Sequence, residues 1–305
     1  MAKILLLGQA PFGARVLEGL LEAGHEITAV CVPPARDGRP VDPLAQGAVD
    51  AGLRVVQRKS YKADDARAEV AAEVADIAVL AFVTQIIPLS ILDAPRLASV
   101  CFHPSLLPAY RGGSAISWQL INGETRGGIT LFRPDDGVDA GPIYLQREIE
   151  IGPDQSAGAY YYASVFEPGV ADTLEATERV LAGDVEAVAQ DESKATHDPL
   201  CRDEHAAIDW SLPTAKLHDL VRGCDPSPGA HTTHGGQLVR VYGSRRGNGE
   251  RGGEPGTVVA VGEEGIEIAT GDATLVLAKM AAGGKKVAAA EAAAAASIRP
   301  GTRLG

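Results

Sequence analysis

Positive charge, cysteine and long apolar runs are all scarce in this 305-residue chain, and each scarcity removes a class of function. Only 28 Lys and Arg stand against 40 Asp and Glu, a formal net charge of −12. That balance argues against a protein that grips nucleic acid chiefly by neutralising phosphates, so a small-molecule substrate is expected. The 4 cysteines, Cys31, Cys101, Cys201 and Cys224, show no CxxC spacing and lie too far apart for a zinc framework or a disulfide scaffold. No metal is expected, and a reducing, cytoplasmic compartment fits. No run of about 18 apolar residues could span a bilayer. The apolar run from Ile4 to Leu7 is too short for the core of a secretory signal, which again points to the cytoplasm and away from a membrane partner.

Other familiar signatures are missing too. Gly8-Gln9-Ala10-Pro11-Phe12-Gly13 has G-x-x-x-x-G spacing rather than G-x-G-x-x-G, and the next strand ends Val30-Cys31-Val32-Pro33 with no acidic residue for a ribose hydroxyl. A tight strand-to-helix turn is therefore favoured over a nicotinamide site. Asp135-Asp136-Gly137-Val138-Asp139-Ala140-Gly141 lacks the alternating ligand series of an EF-hand. No repeat period is present.

What is present is alternation. Apolar runs at Ile4 to Leu7, Ile27 to Val32, Val55-Val56, Ile77 to Phe82 and Ser99 to Phe102 predict strands, and residues 14–23, 44–51 and 63–74 predict helices between them. This pattern predicts an α/β fold with a doubly wound, mostly parallel sheet, whose ligands bind at the carboxyl ends of the strands. Strands at Gly128 to Phe132 and Pro142 to Leu145 and a long helix over residues 155–182 follow. Short β runs at Leu238 to Tyr242, Thr257 to Val261, Ile266 to Thr270 and Thr274 to Ala278, with a Gly-rich break at Ser244 to Gly256, predict a small β-barrel. The Ala-rich run Val287 to Ala296 predicts a helix. The division expected is a catalytic domain over residues 1–200 and an OB-like β-barrel domain over residues 201–305.

The chemistry concentrates in two segments. Cys101-Phe102-His103-Pro104-Ser105-Leu106-Leu107-Pro108-Ala109-Tyr110-Arg111-Gly112-Gly113 puts a histidine just after a buried strand, with prolines stiffening the turn. The Asp135 to Gly141 turn supplies carboxylates. On spacing alone, a core histidine bonded to backbone is the favoured reading of His103, the Asp segment is open to being a solvated turn, and nothing brings Asp139 beside His103.

Taken together, H-P-S-L-L-P, Y-R-G-G and D-D-G-V-D-A-G resemble the signature of the folate-dependent formyltransferases, a family that includes methionyl-tRNA formyltransferase. The chain looks most like the hydrolase domain of 10-formyltetrahydrofolate dehydrogenase. That nearer likeness rests on Gly8-Gln9 with Phe12-Gly13, Asp37-Gly38 with Asp42-Pro43-Leu44, Gln85-Ile86-Ile87-Pro88, and Ser114-Ala115-Ile116 with Trp118. It continues through Ile208-Asp209-Trp210, Val221-Arg222-Gly223, Pro255-Gly256-Thr257, Ala269-Thr270-Gly271-Asp272 and Gly283-Gly284-Lys285-Lys286. No aldehyde dehydrogenase domain follows in this sequence, so that activity does not carry over.

The resemblance implies 10-formyltetrahydrofolate as donor and no metal, with His103 and Asp139 as the catalytic pair. It also implies folate contacts from Phe82, Val83, Thr84, Gln85, Ile86, Ile87 and Pro88, from Ser105, and from Asp135, Asp136, Gly137 and Val138, largely through backbone. Cys101 stands where most of these enzymes carry Asn, and a thiol is the weaker hydrogen-bond donor for a formyl oxygen. As a nucleophile beside His103 it is disfavoured by strand geometry. Ala109 stands where relatives usually carry Arg.

The acceptor expected is a small amine. Water, with release of formate, and methionyl-tRNA are the alternatives, and a non-catalytic folate-binding regulator is disfavoured because both His103 and Asp139 are present. The tRNA reading is opposed by the acidic balance and by the short Pro33 to Pro43 loop, where Arg36 and Arg39 are offset by Asp37 and Asp42. No oligomeric state follows from the sequence.

Overall fold

The apolar runs fold as an alternating series in the computed structural model: β1 (Lys3–Gly8), α1 (Ala10–Glu22), β2 (Glu26–Val32), α2 (Pro43–Asp50), β3 (Val55–Gln57), α3 (Asp64–Ala71), β4 (Ile77–Ala81), α4 (Leu89–Leu92) and β5 (Ala98–His103). There follow α5 (Ala115–Ile121), β6 (Arg126–Phe132), β7 (Ile143–Glu150), α6 (Ala157–Tyr160) and α7 (Phe166–Ala182). The structure describes residues 1–35, 37–247, 249–282 and 285–305. Arg36, Asn248 of the Gly-rich break, and the Gly283-Gly284 pair of the C-terminal motif lie outside the described residues.

Strands β1 to β7 form one sheet in the order β3-β2-β1-β4-β5-β6-β7. β1 pairs in parallel with β2 and β4, β2 with β3, and β4 with β5, whereas β5 and β6 run antiparallel. The sheet is therefore mixed and Rossmann-like, and its order reverses between β1 and β4, which opens a crevice at the carboxyl ends of those strands. Both faces are covered. Leu5, Leu7, Ala29, Cys31, Ala78 and Leu80 pack with Ala66 and Val70 of α3 and Ile91 and Leu92 of α4. Strand alternation sends Phe102 the other way, stacked 4.3 Å from Phe12 of α1. Gly169 of α7 lets that helix close on the sheet, since a Cβ there would come within 2.7 Å of the Phe102 ring.

The predicted helix over residues 155–182 is interrupted by a π-helical turn, Tyr161–Val165, between α6 and α7. Pro168 accounts for the restart, because it has no N–H to offer residue 164 and its ring crowds that carbonyl; such a residue fits only near the start of a helix. Asp42 gives the Asp42-Pro43-Leu44 motif its structural reason. Its carboxylate caps α2 through Leu44 N–H at 2.9 Å and reaches back to Ala10 N–H at 2.8 Å, at the start of α1.

The chain divides into two compact units, Met1–Gly113 with Gly128–Ile149 and Ser164–His197, and Ser114–Gly127 with Glu150–Ala163 and Asp198–Gly305. The second unit adds α8 (Thr214–Gly223), β8 (Ala230–His234), β9 (Gln237–Arg246), β10 (Val258–Gly262), β11 (Gly265–Ala269), β12 (Thr274–Ala282), β13 (Lys285–Ala288) and α9 (Ala289–Ala295). Helix α8 places Leu217, Leu220 and Val221 at helical spacing, whereas strands β8 and β13 carry too few apolar residues at regular spacing to stand out in the sequence. Trp210, Leu217, Val221, Val241, Ile266, Ile268 and Leu277 form its core.

The strand order is β10-β11-β12-β9-β8, with β13 on β12: an open path among the described residues rather than the closed barrel the sequence predicts. Both edges are already occupied by chain segments. Val258 N–H bonds Thr302 O at 2.8 Å along the outer side of β10, and Ile208 N–H bonds His231 O at 2.8 Å along that of β8.

Two glycines test this packing. A Cβ at Gly8 would lie 2.3 Å from the Ala81 carbonyl oxygen, whereas one at Gly47 in α2 would meet nothing nearer than Leu17 at 3.8 Å. Gly8→Ala is expected to destabilise by about 1–3 kcal/mol, and Gly47→Ala to stabilise by about 0.5–1 kcal/mol. Urea midpoints of the intact protein check the opposite signs.

Candidate active site

Strand β5 ends at His103, whose side chain is buried on the face it shares with Cys101. Its Nε2 lies 2.8 Å from the carbonyl oxygen of Tyr110. A carbonyl only accepts, so Nε2 carries the proton and Nδ1 is the ring nitrogen left for chemistry. Nδ1 faces Asp139 Oδ2 at 3.5 Å. The same carboxylate oxygen accepts Gly112 N–H at 2.8 Å, which keeps it turned toward the ring. Folding thus brings together the two residues that sequence spacing could not join. The backbone carbonyl of Tyr110 sets the tautomer, and Asp139 is half-buried.

Phe82, Tyr110 and Asp139, with φ of +62°, +61° and +53°, all adopt left-handed backbone, as does Ala10 at +63°. Such conformations cost non-glycine residues of the order of 1–3 kcal/mol each and persist only where surrounding bonds impose them. For Tyr110 and Asp139 those bonds come from the segment 188–197. Thr196 Oγ1 accepts Tyr110 N–H at 2.7 Å, and Gln190 Nε2 donates to the carbonyls of Asp139 at 2.9 Å and Gly141 at 2.7 Å. Gln190 Oε1 in turn accepts from the buried Arg111 guanidinium, which also pairs with both oxygens of Glu192 and holds that carboxyl below its usual range. Gly141 is required here, since a Cβ would lie 1.8 Å from the Arg133 carbonyl oxygen.

The residues implied for folate fall into separate places. Val83, Thr84, Gln85 and Ile87 line a cavity of about 10 Å³ at the β1/β4 crevice with Gly8, Gln9, Cys31 and Tyr61. Asp135 and Asp136 line a cleft of about 420 Å³ with Leu89, Asp93, Arg133, Pro134 and Pro142, within the range of small-molecule sites. Ile86, Gly137 and Val138 are exposed, and Phe82 and Pro88 half-buried. Ser105 is fully buried, with its hydroxyl donated to the Ala109 carbonyl at 2.7 Å. Ala109 contributes only that carbonyl among these bonds. No group of three or more His, Cys, Asp or Glu arranged around a metal occurs among the described residues, and no helix among them is long and apolar enough to cross a membrane.

Gln190 and Thr196 escaped the sequence reading because they stand in no motif and lie 51 and 86 residues from the partners they hold. Arg111 was inside the Y-R-G-G segment, but nothing there says that its charge is buried.

Residues 2–170 match the formyl transferase family and residues 201–297 the formyl transferase C-terminal domain. The chain is 37% identical over 247 residues to the mitochondrial 10-formyltetrahydrofolate dehydrogenase of Homo sapiens, covering 79% of this chain and 27% of that protein, so it spans about a quarter of that relative's length. It is 33% identical over 312 residues to the methionyl-tRNA formyltransferase of Geobacter sulfurreducens, covering 99% of this chain and 96% of the relative. In fold it is similar to HypX from Aquifex aeolicus in complex with tetrahydrofolic acid (TM-score 0.69, 23% identity, 97% of this chain and 47% of HypX). It is likewise similar to an N-formyltransferase from Helicobacter canadensis in complex with folinic acid and dTDP-3-aminofucose (TM-score 0.72, 17% identity, 91% and 98%).

Burial, reinforced by the Asp139 charge, pushes the Cys101 thiol well up, and burial takes Cys31 up to about 12. In the Cys201 and Cys224 pair, 4.0 Å apart, the half-buried Cys201 is lowered by the hydrogen bond from Cys224. A raised thiol holds little thiolate at pH 8, so Cys201 should alkylate first with iodoacetamide and Cys101 should lag, speeding up in Asp139→Asn. Mass spectrometry of the labelled peptides reads the order; fastest labelling at Cys101 would contradict it.

Proposed function

The chain belongs to the formyl transferase family, and we propose that it moves a formyl group from 10-formyltetrahydrofolate to a small amine, with His103 and Asp139 at the reacting carbon. The observation that carries this reading is the buried His103 ring, with Nε2 committed to the Tyr110 carbonyl and Nδ1 turned to Asp139. When bound, 10-formyltetrahydrofolate supplies the formyl carbon and, at N10, the leaving group. Residues 82–88 and 135–139 would hold it, and the cleft beside Asp135 and Asp136 supports a ligand of this size.

His103 Nδ1 takes a proton from the attacking amine as the new C–N bond forms, and the imidazolium is stabilised by the Asp139 carboxylate. That proton then passes to the departing nitrogen as the old C–N bond breaks, so no net proton is gained or lost. Cys101 remains a protonated thiol and serves at most as a weak donor to the formyl oxygen. The division into a catalytic domain of residues 1–200 and a smaller β-rich domain of residues 201–305 belongs to the same proposal. It is supported by family matches that end at residue 170 and resume at residue 201.

A second reading, formylation of methionyl-tRNA, is favoured by the full-length match to the Geobacter sulfurreducens enzyme, C-terminal domain included, and opposed by the net charge of −12. A third, hydrolysis with water as acceptor, is favoured by the similarity to the dehydrogenase.

Formyl-labelled 10-formyltetrahydrofolate given to the protein alone, with small amines, and with methionyl-tRNA decides among them. Label in formate, in a formylamide or in tRNA identifies the acceptor; label that stays in folate throughout removes the reading. His103→Asn and Asp139→Ala are each expected to slow turnover by roughly a hundredfold or more while calorimetry with 5-formyltetrahydrofolate shows nearly unchanged affinity.

A further inference from the structure

We propose that Gln190, clamped by Arg111, is a positioning residue that sets the Asp139 carboxylate against His103. The inference rests on the functional reading above for its consequence in turnover, and on the geometry for the clamp itself.

Asp139 has left-handed backbone, and its carboxylate bonds the Gly112 N–H rather than its own turn. Gln190 holds that backbone by donating two hydrogen bonds from one amide nitrogen, to the carbonyls of Asp139 and Gly141. The amide cannot be turned over. Its oxygen accepts Arg111 Nε at 3.2 Å and Nη2 at 2.7 Å, so reversal would set an NH₂ group against a guanidinium and an oxygen against two carbonyls. Arg111, only 2% exposed, is itself fixed by the two-point pairing with Glu192.

The same segment reaches the other partner. Val188 and Ile143 exchange backbone bonds of 2.7 and 2.8 Å, and Arg111 N–H donates to Thr196 O at 3.0 Å. Thr196 also fixes Tyr110, whose carbonyl orients the His103 ring. One strap thus holds both sides of the 3.5 Å gap between Nδ1 and Oδ2. A shift of about 1 Å in such an alignment is enough to cost roughly a hundredfold in rate.

Gln190→Ala removes the clamp, and Gln190→Glu keeps the bulk and the Arg111 bond while placing oxygen against both carbonyls, so it retains the packing needed to fold. Both are expected to lower kcat roughly tenfold or more with KM for 10-formyltetrahydrofolate nearly unchanged. In an Asp139→Asn background, Gln190→Ala should slow turnover no further, because it acts through the carboxylate already removed. Independently of activity, hydrogen exchange at Gly112 N–H, the donor to Asp139 Oδ2, should quicken roughly tenfold in either Gln190 variant. Full kcat in both variants, or losses that multiply with Asp139→Asn, would overturn the proposal. If the wild-type protein consumes no 10-formyltetrahydrofolate with any acceptor, the functional reading falls and Gly112 exchange alone judges the clamp: unchanged exchange refutes it, faster exchange sustains it.

Discussion

The 2.8 Å hydrogen bond from His103 Nε2–H to the Tyr110 carbonyl settles which imidazole nitrogen is free, and the rest of the site is arranged around that choice. With Nε2 committed, only Nδ1 can exchange a proton, and Nδ1 looks toward Asp139. The bond depends on the Tyr110 carbonyl pointing inward, and that direction comes from left-handed backbone at Tyr110, held from outside by Thr196. A change of main-chain direction seven residues beyond β5 thereby determines the protonation logic of a side chain at its end.

The strained positions form a pattern. Ala10, Tyr110 and Asp139 are each held in left-handed backbone by a side chain from a distant part of the chain: Asp42 on the Ala10 amide, Thr196 on the Tyr110 amide, Gln190 on the Asp139 carbonyl. Ala10 lies two residues beyond β1, and Tyr110 and Asp139 lie seven residues beyond β5 and β6 respectively. Regular secondary structure does not supply these bonds: Tyr110 and Asp139 lie in connecting segments, and the Ala10 N–H stands in the first turn of α1, where no intrahelical partner exists. Long-range side chains supply them instead, and they concentrate rigidity where reacting groups must be aligned.

Electrostatics at the site act in one direction. Burial, with the Asp139 charge added to it, disfavours a thiolate at Cys101, so the cysteine is kept as a neutral thiol. At position 101, where the resemblance implies Asn, a thiol so raised is no ready nucleophile.

Period-2 and period-3.6 hydrophobicity determined the strands and helices of the first sheet within a few residues, because burial on both faces leaves continuous apolar runs such as Ile77 to Ala81. Local motifs singled out the His103 and Asp139 segments and, through resemblance, named the formyl transferase family. Pattern alone does not show that the helix expected over residues 155–182 carries a π-helical turn at Tyr161–Val165, or that the C-terminal strands follow an open path with chain segments along its outer strands. Only the tertiary structure decided that Asp139 meets His103, that a backbone carbonyl rather than a carboxylate chooses the tautomer, and that Gln190 and Arg111 stand behind the pair. Those facts depend on hydrogen bonds between residues tens of positions apart, and a one-dimensional pattern records which groups can bond but not which ones folding brings within 3 Å.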